Sequence, residues 1–346
     1  RELVRRKSGF AEMLLGRGCP YDCAFCQNHI FRAAHGAQAR DWVRARPVPQ
    51  VIDEMHAFRN AAGADLKGFI FGDDSMAYGR AWLGEFLHAY HSEIGLPFIA
   101  CLAAPQVNET LAQDLYEAGC NVIRLGVECA DERTRMDLLR KPVSDAALRR
   151  ACHILHTAGI NVQGFGMSAL PHETPEQALA LLHLAVALEL DVFRLSTYFP
   201  LPGTALHEHC VARGLLRETA HGHHDFNTDS LLHWPEAAAL FHRKIRCAFP
   251  LLMNARMPGP AAGIYRDTAR HILDAGATAW AEMEKDLGRT AADLHRRAAA
   301  SGAPHYFSPV PDRPDYAFLF LPQRRRKMIN IDDAPARSAA TGKVAP

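Results

Sequence analysis

The chain has 346 residues, 48% of them apolar and 22% charged, with 39 Lys and Arg set against 38 Asp and Glu. That length accommodates one large α/β domain with a smaller appendage and a substantial core. The near-zero, well-mixed charge offers no basic face for non-specific nucleic-acid or anionic-membrane binding, and no apolar run reaches the roughly 18 residues of a membrane span.

The N-terminal RELVRRKSGF lacks the apolar core of a signal peptide. Because the chain starts at Arg1 rather than methionine, an upstream piece is expected. Nine cysteines, three clustered and the rest scattered, do not form a disulfide framework, so a reducing cytoplasm is the expected compartment.

The first apolar run, AEMLL (Ala11 to Leu15), predicts a strand that leads into a cysteine-bearing loop. A helical pattern runs from about Pro49 to Ala62, followed by a strand in LKGFIFG. Four more strands are expected in PFIACLA, NVIRLGV, NVQGFGMSAL and DVFRLST. Alternating with them are helix patterns in GRAWLGEFLHAYHSEIG, NETLAQDLYEAG, SDAALRRACHILHTAG and TPEQALALLHLAVALEL. Asn108, Ser144 and Thr174 suit helix N-caps, Pro175 the first helical position, and Gly119 and Gly159 helix ends.

Short apolar strands alternating with helices imply a parallel sheet with right-handed crossovers. Six units fall short of the eight that close a full barrel, so the expected fold is α/β, a partial (β/α)6 TIM-like barrel over residues 1–214. A C-terminal helical appendage, a substrate or cap region, is expected over 215–322, and a flexible tail over 323–346, which lacks periodic apolar residues. In such a sheet the chemistry gathers where the strands' C-terminal ends emerge, and the cysteine loop lies there.

That loop reads GCPYDCAFCQNH, placing Cys19, Cys23 and Cys26 at C-x-x-x-C-x-x-C spacing. Structural zinc sites are usually closed by four ligands, and no second cysteine pair or finger-spaced histidine follows. A zinc deaminase places H-x-E before its cysteines, whereas His91-Ser92-Glu93 comes after them. An iron–sulfur cube accepts three thiolates and leaves one iron open to a small molecule. The other cysteines (101, 120, 129, 152, 210, 247) read as core thiols. The histidines at 207, 209, 221, 223, 224 and 233 read as a polar stretch that could lie over the barrel mouth.

C-x-x-x-C-x-x-C after a short strand, with the aromatic Phe25 just before the third cysteine, resembles the signature of the radical S-adenosylmethionine (SAM) superfamily. The similarity extends from about Met13 to Gly214. GVECADERTRMDLLRKPVSDAALRRACHILHTAGINVQGFGMSALPHETPEQA and YFPLPGTAL resemble the subgroup containing cobalamin-dependent radical enzymes and methylthiotransferases. The resemblance implies that Cys19, Cys23 and Cys26 hold a [4Fe–4S] cluster whose fourth iron is chelated by SAM. Gly72-Asp73-Asp74 stands where the family often has Gly-Gly-Glu, which takes the methionyl amine. Here a shorter acid occupies the third place. Glu128 resembles the residue that contacts the ribose and Arg140 the arginine that pairs with the methionyl carboxylate.

GFGMSA (Gly164 to Ala169) formally matches a dinucleotide fingerprint, but Pro171 and the loop to Thr174 intervene before the helix. The family places adenine at this strand. Gly164 and Gly166 are therefore expected adenine contacts, as bare backbone admits a flat ring.

The resemblance implies reductive cleavage of SAM to a 5′-deoxyadenosyl radical that abstracts hydrogen from a small-molecule substrate. Cobalamin-dependent C-methylation or a rearrangement is the expected outcome, with a reducing partner such as flavodoxin or ferredoxin. The cobalamin fingerprint D-x-H-x-x-G is absent from these residues. A non-catalytic iron–sulfur or zinc protein in electron transfer or scaffolding is the alternative, as is a tRNA-modifying radical SAM enzyme, which the neutral charge disfavours.

Overall fold

Six apolar runs pair in sequence order into one parallel sheet in the computed structural model, which describes Val4 and residues 9–36, 39–76, 78–217 and 229–301. The strands are β1 (Phe10–Met13), β2 (Gly68–Phe71), β3 (Phe98–Leu102), β4 (Cys120–Glu128), β5 (Asn161–Ser168) and β6 (Val192–Thr197). Parallel neighbours require crossovers, which the helices supply. They are α1 (Asn28–Ala34), α2 (Val48–Ala62), α3 (Arg80–Ala89), α4 (Glu109–Glu117), α5 (Asp145–Ala158) and α6 (Pro175–Ala187), and α7 (Ala205–Ala212) follows β6. Among the described residues β1 and β6 each have one strand neighbour, so the sheet is an open half-barrel, as the six-unit count requires.

Residue parity separates the two faces of the sheet. Ile123, Leu125 and Val127 of β4 enter the main core beneath the helices, together with Phe69, Phe71 and Phe193. On the opposite, concave face Phe10, Ile70, Ile99 and Val122 form a separate small apolar cluster. Further along that face the lining turns polar, with the Arg124 Nε donating to the Gln163 Oε1 (2.9 Å).

The expected caps form. Asn108 accepts from the Leu111 N–H, Ser144 from that of Ala147, and Thr174 shares a reciprocal box with Gln177. Gly159 ends α5 in the left-handed conformation (φ 92°). The helix expected from Gly79 to Gly95 changes pitch after Ala89 and finishes as a single wide turn, Tyr90–Ile94. Buried Tyr90 donates its hydroxyl to the Leu96 carbonyl there.

Three helices complete the described chain: α8 (Glu236–Asn254), α9 (Ala261–Asp274) and α10 (Ala277–Ala300). α8 packs directly on α6 and on the outer face of β5 and β6, with Phe193 and Phe249 edge to face at 6.1 Å. It thus supplies barrel wall beside the last strand. Buried Lys244 on α8 donates to the Leu273 (3.0 Å) and Ala275 carbonyls, tying α8 to the turn between α9 and α10. Among the described residues no helix is long and apolar enough to cross a membrane. The tail expected over 323–346, the end of the 215–322 region, and His221, His223 and His224 lie outside the described residues.

Candidate cofactor site

The chain enters the cysteine loop through a path set by one buried carboxylate. Asp73, just past β2, accepts the backbone N–H groups of Leu15 (3.1 Å) and Gly16 (2.8 Å) and the Tyr78 hydroxyl. Burial holds its carboxyl above the usual carboxylate range, against the opposing pull of these donors. Gly18 then turns at φ 90°, where a side chain would strike the Trp42 carbonyl; glycine alone satisfies both demands. Gly72 donates its N–H to the Met13 carbonyl. Asp74 is exposed and within electrostatic reach of Cys19. Of the three residues after β2, Asp73 thus spends its side chain on its own loop, and Asp74 presents the open acid.

Cys19, Cys23 and Cys26 are free and half-buried. Burial raises the Cys19 thiol and pushes Cys23 up to about 12, with Lys141 opposing both. The loop is stitched on two sides: the Ala24 N–H donates to the Leu139 carbonyl and the Leu206 N–H to the Ala24 carbonyl, both at 2.8 Å. Asn28 donates from Nδ2 to the Cys26 sulfur. Phe25 packs against an apolar cluster of Ala24, Cys129, Leu139, Leu170, Tyr198 and Leu206, which joins the loop to the C-terminal ends of β4, β5 and β6.

Glu128 ends β4 at φ 65°, an uncommon conformation for a non-glycine residue. Its Oε1 accepts from the Lys141 ammonium at 2.8 Å in a nearly buried pair. Glu128 and the Cys23 and Cys19 thiols hold the Lys141 ammonium above its ordinary range, against its burial. Arg140, the expected cation, is exposed and lines a surface cavity of about 300 Å³ with Ala24, Leu206 and His209. The cation beside the thiols is therefore the adjacent Lys141.

Two further residues support this arrangement. A Cβ at Gly126 would land on the Glu128 carboxylate and the Lys141 ammonium; the bare glycine makes room for the pair. Arg135 is fully buried and donates to the carbonyls of Val127, Cys129, Ala130 and Val143 and to the Asp145 carboxylate. It clamps the segment that carries Lys141. In the sequence nothing local distinguishes Lys141 from its neighbour Arg140, and only parity with Glu128 marks Gly126.

Thiolates alone can hold an iron–sulfur cube at three corners. Among the described residues no three His, Cys, Asp or Glu side chains converge closely enough to hold a single ion. Three free cysteines on one loop are a donor set that such a cube accepts. The Radical SAM superfamily model matches residues 13–185, half of the chain.

The chain belongs to the radical SAM superfamily.

Curated relatives include an uncharacterized methyltransferase of Pyrococcus horikoshii, 25% identical over 208 residues, covering 60% of this chain and 43% of that protein. Another is the cytidylyl-2-hydroxyethylphosphonate methyltransferase of Streptomyces wedmorensis, 26% identical and covering 60% of this chain and 39% of that protein. The chain thus spans about two-fifths of these relatives' length. Among solved structures, the cobalamin-dependent radical enzyme OxsB with aqua-cobalamin and SAM bound shares the fold at TM-score 0.54 and 12% identity, over 89% of this chain and 52% of that one. The radical SAM methyltransferase TsrM from Kitasatospora setae aligns at TM-score 0.51 and 16% identity, over 70% of this chain and 47% of that one.

The missing side chains of Gly164 and Gly166 serve the core of the radical SAM barrel. Gly164 and Gly166 turn their bare side to the helix layer, where a Cβ would strike Leu190 and Phe193. The reason is parity: Val162 of the same strand shares that side and lies in the main core. The two glycines admit core side chains, so their lack of Cβ opens no space for adenine on the concave face.

Beside the barrel mouth, Glu173 and His242 form a buried pair, Oε2 to Nδ1 at 3.7 Å, beyond hydrogen-bond reach. The Glu173 carboxylate also accepts the Ala169 N–H (2.6 Å). Burial pushes its carboxyl up to about 8 and the His242 ring down to about 4. The raised carboxyl favours the fold at low pH and loses that contribution as pH rises through 8; the depressed imidazole contributes above its unfolded value and loses it as pH falls towards 4. The two offset below about pH 6.5. From there to pH 8 Glu173 acts alone, and stability should fall by about 2 kcal/mol. Urea denaturation across this range checks it: Glu173→Gln should flatten the slope, and an unchanged slope would refute the assignment.

Proposed function

We propose that this radical SAM chain binds a [4Fe–4S] cluster through Cys19, Cys23 and Cys26 and uses SAM to transform a small-molecule substrate. The observation that carries the reading is the buried Lys141–Glu128 pair set electrostatically against Cys19 and Cys23 at the strands' C-terminal ends. When bound, the cluster and SAM supply one-electron chemistry and a carbon-centred radical.

The chain's own residues bind and orient. Lys141 offsets the negative charge that three thiolates bring into a half-buried loop. It also presents a cation for the SAM carboxylate, a role proposed here for Lys141 in place of Arg140. Glu128 presents acceptor oxygens for ribose hydroxyls, and exposed Asp74, with the backbone at Gly72 and Asp73, is offered to the methionyl amine. Phe25 packs the loop onto the barrel mouth, so that ordering the loop and shielding it from water go together.

The methyltransferase relatives favour C-methylation as the outcome, with cobalamin as the methyl carrier and a low-potential flavodoxin or ferredoxin as reductant. The tested protein should be produced and reconstituted anaerobically. About four irons per chain and SAM cleavage under dithionite are expected. Cys23→Ala should lower iron below half and bring SAM cleavage to background. Undiminished cleavage by that variant would sink the reading, and one zinc per chain would favour a non-catalytic metal protein.

A further inference from the structure

A second built cavity lies outside the cysteine loop, between the C-terminal end of β6 and the start of α8. Its volume is about 400 Å³. His242 forms part of its wall, is only 4% exposed, and has no hydrogen-bond partner on either ring nitrogen. Such an imidazole is costly, since a buried donor or acceptor without a partner forfeits its hydration. Nδ1 lies towards Glu173, which leaves Nε2 as the nitrogen turned from that carboxyl. The Trp234 ring lies against the imidazole, with centroids 4.5 Å apart. The indole is itself pinned, Nε1 donating to the Ser230 hydroxyl at 3.1 Å.

The charge around the cavity is cationic in excess. Arg217, Arg243 and Arg246 line it, against the carboxylates of Asp229 and Glu236. Asp229 engages Arg243 (3.7 Å) and Arg246 (2.8 Å), and Glu284 holds Arg243 from the far side at 2.8 Å. These pairs fix the two α8 guanidiniums in place. Arg217 has no acidic partner among the described residues. The first turn of α8, a 19-residue helix, also opens onto the cavity through Glu236 and Ala239 and adds its positive dipole end.

We propose that this cavity is a binding site for a small oxyanion-bearing ligand, a carboxylate or a phosphate, held by Arg217 and hydrogen-bonded by His242. The volume suits a metabolite-sized group rather than a macromolecule. Guanidinium and imidazole donors match oxyanion geometry, and the Trp234 face provides an apolar wall for the ligand's remainder. The site goes beyond the SAM reading and stands without it, because none of its residues belongs to the cysteine loop or the Glu128–Lys141 pair.

The full chain, labelled at histidine with carbon-13, would be titrated with sodium phosphate and separately with sodium acetate. Sodium chloride at matched ionic strength serves as the control. The His242 ring signal, assigned with His242→Phe, should shift saturably with at least one of the two anions and not with chloride. Response to phosphate alone identifies a phosphorylated ligand; response to acetate, a carboxylate. Because His242 is buried and its replacement could perturb folding, exposed Arg217→Ala provides the second variant, with affinity expected to fall at least about tenfold. An equal shift in chloride, no shift with either anion, or unchanged affinity in Arg217→Ala would overturn the proposal. SAM cleavage measured on the same preparations separates this failure from a failure of the radical reading.

Discussion

Gly126→Ala should leave the fold intact and lower the rate of SAM cleavage by about a hundredfold, the scale expected when reacting groups shift by an ångström. The new methyl group would occupy space now filled by the Glu128 carboxylate and the Lys141 ammonium. Both are ends of flexible side chains, so they can yield without displacing the strand. The displaced pair would then sit wrongly against Cys19 and Cys23 and against bound SAM. Urea denaturation should show a change below about 1 kcal/mol, because no core atom is struck. Gly164→Ala is the informative comparison: its methyl group meets Leu190 and Phe193 in the packed core, and overpacking there should cost about 1–3 kcal/mol. Equal losses of activity and stability in the two variants would disprove the assignment of faces.

Arg135→Met should destabilise the protein by about 3–5 kcal/mol, because removing one partner of a buried charge network strands the others. Four backbone carbonyls and the Asp145 carboxylate converge on this guanidinium. The same carbonyls fix the path from Glu128 to Val143, so iron retention should fall together with stability. Asp145→Asn should cost much less, since Asp145 is 39% exposed and the carbonyl contacts survive its change. Chemical denaturation with iron analysis on the same samples tests both. A loss below about 1 kcal/mol for Arg135→Met would show that the clamp does not hold the segment.

Much of the barrel was legible because its signals are local. Short apolar runs bounded by Asn108, Ser144, Thr174 and Gly159 report backbone preference and capping, which depend on residues a turn away. The cysteine spacing was legible for the same reason, since three thiols on one loop need no distant partner to converge. The meeting of Lys141 with Glu128 beside the thiols was not local. It turned on Arg135, whose guanidinium gathers carbonyls from both sides of the segment, and on the left-handed backbone at Glu128 and Arg140 (φ 49°). The motif GFGMSA does not by itself show which face of β5 each glycine occupies.

The sequence by itself determined the six βα units, the caps that end their helices and the thiol-bearing loop after the first strand. Each of these follows from backbone sterics and hydrogen bonding over a few residues. Only the tertiary structure decided that Lys141 pairs with Glu128 beside the thiols, that Asp73 serves the loop's backbone, and that α8 walls the barrel beside a second cavity. Those outcomes depend on burial and on charges brought together from segments far apart in the chain, where desolvation selects the partner and neighbouring residues in sequence carry little information about it.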